Sequence, residues 1–142
     1  MIELLYRMGL RLRREAVIAF PAYYHNAVLY RVRFNFVSPE DEGRLRAYRR
    51  DLADLSLAEA SWAFELGCVR DRETGAVVHW QGPELCMPLV GRVADRFADP
   101  RYEAIARRTA EAVHVQLDRE RFRARLAAQL ETEPGSDPSA GA

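Results

Sequence analysis

A chain of 142 residues with 49% hydrophobic content is long enough to bury one core and too short for two domains of ordinary size, so a single domain is expected. Twenty-one acidic residues balance 21 basic ones, and this zero formal charge gives no overall electrostatic footprint for nucleic acid. Every basic residue is arginine; GC-rich coding is the simple account of that, ahead of a surface selected for forked recognition of carboxylate or phosphate.

From the start of the chain, Met1, Leu4, Leu5, Met8 and Leu12 recur at helical spacing, with Arg7, Arg11 and Arg14 gathered on another face. This predicts an amphipathic helix that packs against a core. Charges at Glu3, Arg7, Arg11, Arg13, Arg14 and Glu15 break any apolar run that would resemble a signal sequence or a membrane span, so a soluble cytoplasmic protein is expected. Residues 15–20 are a short β-prone run stopped by Pro21, as suits an edge strand. A loop with Tyr23, Tyr24 and His25 follows. In residues 27–37, Val28, Tyr30, Val32, Phe34 and Phe36 alternate with Arg31, Arg33 and Asn35, which predicts an antiparallel strand with one wet face.

Ser38-Pro39-Glu40-Asp41 reads as a helix start: a capping serine, a proline suited to the first turn, and acids at the positive end of the dipole. Leu45, Tyr48, Leu52 and Leu55 mark its buried stripe. Residues 61–81 are predicted as a β-hairpin around which the chain is organised. Trp62, Phe64, Leu66 and Cys68 fall on alternate positions, Asp71-Arg72-Glu73-Thr74-Gly75 makes the turn, and residues 76–80 resume in extended form. Gln81-Gly82-Pro83 and Pro88 bracket a loop. Leu89, Val90, Val93, Ala94 and Phe97 predict a short helix, and Asp99-Pro100 opens another with Tyr102, Ile105, Thr109, Ala112 and Val113 inward. Residues 113–117 suit either a continuation of that helix or a short strand, and helix is preferred. Asp118 caps a final segment bearing Phe122, Leu126 and Leu130, and residues 132–142 form a disordered tail.

The sequence holds no phosphate-cradling glycine loop, dinucleotide fingerprint, HExxH or nucleophile elbow. Cys68 and Cys86 have no metal or redox spacing and read as buried free thiols; His25, His79 and His114 are dispersed. No catalytic residue, metal or cofactor is assigned. His79 is the histidine with the best claim to acid–base work, should a cavity open beside it.

FELGCVRDRETGAVVHWQGPEL and MPLVGRVADRFADPRYEAIARRTAEAV resemble the YbjN-like proteins and the type III secretion chaperones. In those families a hairpin turn of the form D-x-x-T/N-G precedes a loop and a long helical segment. The matching residues are Asp71, Thr74 and Gly75, with the stripe Leu89, Val93 and Phe97, and the likeness covers about residues 38–113. It implies a small α+β homodimer, an antiparallel sheet packed against helices, that binds an extended segment of another protein without catalysis. Its partner-binding residues would be Leu5, Tyr24, Tyr30, Trp62 and Trp80, with ordinary core packing as the competing account of each.

Two alternatives come from other classes. The element order also resembles the ferredoxin-like half of a dimeric α/β barrel, an enzyme or small-ligand binder in which His79, with Tyr30 or Trp62, would line a pocket. Arg31, Arg33, Arg44, Arg46, Arg49 and Arg50 would make a nucleic-acid surface if they converged on one face. An open apolar groove would favour protein binding; an enclosed chamber around His79 would favour the enzyme.

Overall fold

Both ends of the chain form helices where expected. Helix α1 (Ile2–Arg11), however, meets the core through Ile2, Tyr6 and Gly9, and the expected packing stripe Met1, Leu4, Leu5, Met8 and Leu12 is exposed. Strand β1 (Ala16–Ala19) is the short strand before Pro21. The computed structural model describes residues 1–132; the expected tail lies outside the described residues apart from Thr132, which ends a helix. The architecture is α+β, with seven helices and two antiparallel sheets among the described residues.

The predicted strand over residues 27–37 is not formed. Tyr24–Tyr30 is helix α2, a turn follows, and only Asn35–Phe36 is extended, as β2. The apolar residues here satisfy two periods at once. Tyr24, Ala27 and Val28 stand at i, i+3 and i+4, and burial follows that helical set, with Tyr24 and Ala27 buried and Val32 almost fully exposed.

Helix α3 (Pro39–Asp51) begins as predicted, with the Ser38 hydroxyl accepting the Asp41 amide and Pro39 in the first turn. The first arm of the predicted hairpin is instead helix α4 (Leu57–Glu65). Its start is a capping box: Ser56 Oγ accepts the Glu59 amide at 3.1 Å, and Glu59 accepts the Ser56 amide at 3.3 Å. Ala60, Ala63 and Phe64 are its buried apolar residues at i, i+3 and i+4, whereas Trp62 is exposed.

The predicted turn is present. Strand β3 (Val69–Asp71) runs into it, Asp71 Oδ1 accepts the Glu73 and Thr74 amides at 2.8 and 2.9 Å, and Gly75 takes φ +72°. Beyond the turn only a single bridge, Arg70 to Val77, continues the pairing, so Trp80 does not stand in a strand.

Leu85–Pro88, expected as loop, is β4, the central strand of the sheet β1-β4-β2. Its register sets Ile18 and Asn35 on either side of Cys86. Leu85, Cys86 and Met87 are all buried, so the strand has no wet face and shows no alternation. Both cysteines are free and buried, as expected.

Helices α5 (Gly91–Ala98) and α6 (Pro100–Ala112) follow, joined at Asp99, whose carboxylate accepts the Arg101 amide. The helix expected to continue through residues 113–117 stops at Val113, and Val115–Leu117 is β5, paired antiparallel with β3. Val115 pairs with Asp71 of β3, and its amide is taken by the Asp51 carboxylate at the end of α3 at 3.0 Å, two partners that a further helical turn would give up. Asp118 Oδ1 accepts the Arg121 amide and so caps the last helix, α7 (Arg119–Thr132). The core joins Phe36, Leu45, Leu85, Met87, Val69 and Val115 with Phe64 and Phe122.

Candidate functional site

Helices α2 and α4 pack side by side and leave a cleft of about 580 Å³, open to solvent, between their outer faces. Tyr23, His25 and Leu29 line it from the α2 side, and Leu57, Ala58, Ser61, Trp62 and Glu65 from α4. The helical periods explain the arrangement. Tyr24 and Ala27 turn inward and so send Leu29 out; Ala60, Ala63 and Phe64 turn inward and so send Trp62 out. Trp62 is 41% exposed, Tyr23 45% and Leu29 55%, which makes this a concave apolar surface with large aromatic groups at its edge.

Its polar floor is one pair. Ser61 and His25 share a hydrogen bond of 2.7 Å between Oγ and Nδ1, and the Tyr23 ring stacks on the imidazole with centroids 5.6 Å apart. Ser61 is buried mid-helix, and among the described residues no carboxylate bonds the other ring nitrogen of His25. A nucleophile, a base and an orienting acid are therefore not assembled here. The pair fixes α2 against α4.

The five sequence-predicted residues separate. Trp62 lies in the cleft, and Leu5 is exposed on α1. Tyr24 and Trp80 belong to an aromatic cluster about Phe64. Tyr24 lies 4.9 Å and Trp80 6.1 Å from that ring, and the Trp80 indole N–H donates to the Pro21 carbonyl at 2.9 Å. Burial pushes the Tyr24 phenol up to about 12, with the Arg49 charge opposing the shift. Tyr30 is half-buried, packed on Phe34 at 5.8 Å. Sequence reasoning missed Tyr23, Leu29 and Leu57 as cleft residues. The Ser56-x-x-Glu59 capping box was the available signal, since it makes α4 a helix and places Trp62 on its outer side.

His79 borders a different hollow of about 440 Å³, also open, with Tyr48 and Trp80; neither Tyr30 nor Trp62 lines it. Burial raises the Cys68 and Cys86 thiols, which keeps both protonated at neutral pH. Among the described residues no group of three or more His, Cys, Asp or Glu side chains is arranged to hold a metal ion. No described helix is long and apolar enough to cross a membrane.

The arginines named as a nucleic-acid surface are mostly engaged with carboxylates. Arg31 and Arg46 bond Glu42, Arg33 bonds Glu3, Arg44 bonds Asp41 and Arg50 bonds Asp51. Arg46 also spans to Glu103, and Arg50 reaches the carbonyls of Ala110 and Val113. These side chains tie α3 to its neighbours. No family model matches the chain, and neither a curated protein nor a solved structure matches it.

Proposed function

We propose that this chain is a protein-binding module that grips an extended segment of another polypeptide and carries out no bond-making of its own. The observation that carries this reading is the open apolar cleft between α2 and α4, with Trp62, Tyr23 and Leu29 presented to solvent. Exposed tryptophan and tyrosine at the rim of a hollow are the residue types that dominate binding energy at protein interfaces. The cleft is open rather than enclosed, and its one hydrogen-bonded polar pair joins two helices. This is the kind of surface expected of the YbjN-like and secretion-chaperone resemblance, and that resemblance is part of the proposal.

The test is affinity purification from the native cell extract with mass spectrometry, run in parallel on the wild type and on Trp62→Ala. A polypeptide retained stably by the wild type and lost by the variant is the expected result. Recovery of no stable partner, or equal recovery by both proteins, would overturn the reading.

A further inference from the structure

We infer that, when no partner polypeptide is bound, the cleft between α2 and α4 receives helix α1 of a second copy of this chain in a symmetric dimer, so that a captured segment must displace α1; this rests on the reading of the cleft as a polypeptide-binding surface. Helix α1 carries more apolar surface than its own core uses. Ile2, Tyr6 and Gly9 face inward. Leu4, Leu5, Met8 and Leu12 are exposed and, at about 100° per residue, gather in a stripe beside that inward arc. The chain thus exposes one convex apolar ridge and one concave apolar cleft.

Their dimensions and charges agree. Leu4 to Leu12 spans about 12 Å along the helix, and the nine residues of α4 that form one wall of the cleft span about 13 Å. Glu65 is the carboxylate in the cleft lining, and among the described residues it has no basic partner. Arg11, on the far side of the ridge from the core, likewise has no carboxylate partner among the described residues. Each would find its counter-charge in the other copy.

Area points the same way. The ridge with the exposed Tyr23, Leu29 and Trp62 presents on the order of 700 Å² per copy, close to the roughly 800 Å² that one partner contributes to a standard interface. Ridge and cleft are different surfaces, so a one-way contact would leave one of each uncovered and open to addition. Reciprocal exchange of α1 closes the assembly at two. An anionic lipid surface would cover the ridge and leave the cleft and Glu65 unaccounted for.

The experiment measures mass by sedimentation of the full chain across a dilution series, for the wild type and for Met8→Glu and Trp62→Glu, each checked for helicity. The wild type is expected at twice the chain mass and both variants at the single mass. An equimolar mixture of the two variants should give a crosslinkable heterodimer, because it holds one intact ridge and one intact cleft. Arg11→Glu should weaken the wild-type dimer about tenfold, and adding Glu65→Arg should restore it. A Trp62→Glu protein that still dimerises would mean α1 pairs with α1, and a variant mixture with no heterodimer would remove the ridge-in-cleft contact; either result overturns the inference. A wild type monomeric at every concentration does so too, including one that instead binds phosphatidylserine vesicles. If that monomer still loses its captured polypeptide on Trp62→Ala, only the self-docking falls; if it captures nothing, the cleft reading falls with it.

Discussion

Glu42 Oε1 accepts the Arg46 Nε–H at 2.9 Å from a residue only 4% exposed, and Arg31 donates to the same oxygen. Arg46 then turns its other two nitrogens to Glu103 at 2.8 and 2.9 Å, so one chain of charges links α2's end, α3 and α6. Removing the central anion strands the Arg31 guanidinium and leaves Arg46 with Glu103 alone. Glu42→Gln should therefore cost about 3 kcal/mol in urea unfolding, in the range for breaking a buried pair by removing one member. Glu103 is exposed, and Glu103→Gln should cost about 1 kcal/mol or less. Equal losses would show that Glu42 is not the centre of the network.

The same helix pair makes a second demand. A Cβ on Gly43 would lie 2.4 Å from the Ala106 carbonyl oxygen and 2.6 Å from Thr109 Cβ, so α3 and α6 touch through backbone at this point. Gly43→Ala gains about 1 kcal/mol of helix propensity on α3, yet it must push the helices apart. Overpacking of this kind costs about 1–3 kcal/mol, and a net loss of stability is expected in thermal unfolding. A gain would mean that the α3–α6 crossing is looser than its geometry.

The contrast between what the sequence announced and what it hid follows from how many signals agreed. The helix at Pro39 had a cap, a proline and an apolar stripe all pointing one way, and the turn at Asp71–Gly75 had its Asx bonds and its glycine. Residues 27–37 and 61–66 carried apolar residues that fit alternation and helical spacing alike, and tertiary packing of Tyr24 on Phe64 chose the helix. Strand β4 was hidden because burial on both faces erases alternation. Misreading α2 and α4 as strands also concealed the cleft, since Leu29 and Trp62 are brought together only by the helices that carry them.

Acid should loosen the second sheet. The Arg50 side chain, then the Val115 amide, hold the Asp51 carboxyl below its usual range; the Arg121 amide and Arg70 do the same for Asp118. Both residues flank β5. A depressed folded value contributes stability that is present above the unfolded value of about 3.9 and is lost as pH falls through the folded one. Unfolding midpoints should stay level to about pH 5 and drop below about pH 4. Asp51→Asn should lower stability at neutral pH and make that acid slope shallower. Tyr24 acts at the other end: its raised value gives stability lost between about pH 10, where unfolded tyrosine ionises, and about 12. A Tyr24→Phe protein should resist alkali over that interval, and an unchanged alkaline slope would locate the sensitivity elsewhere.

The two tryptophans should respond unequally to truncation. Trp80 packs edge-on to Tyr24 at 5.7 Å, contacts Phe64 and satisfies the Pro21 carbonyl, so Trp80→Ala opens a cavity and orphans an acceptor. A loss of about 3–5 kcal/mol is expected. Trp62 stands at the cleft rim, and its truncation should move stability by about 1 kcal/mol or less. Because Trp62 is solvent-facing, Trp80→Phe should leave a red-shifted emission that moves to the blue when the cleft is filled, whereas Trp62→Phe should leave a blue-shifted one that filling does not move. If Trp62→Ala unfolds as readily as Trp80→Ala, Trp62 is holding the fold together, and the cleft loses its claim as a surface kept free for binding.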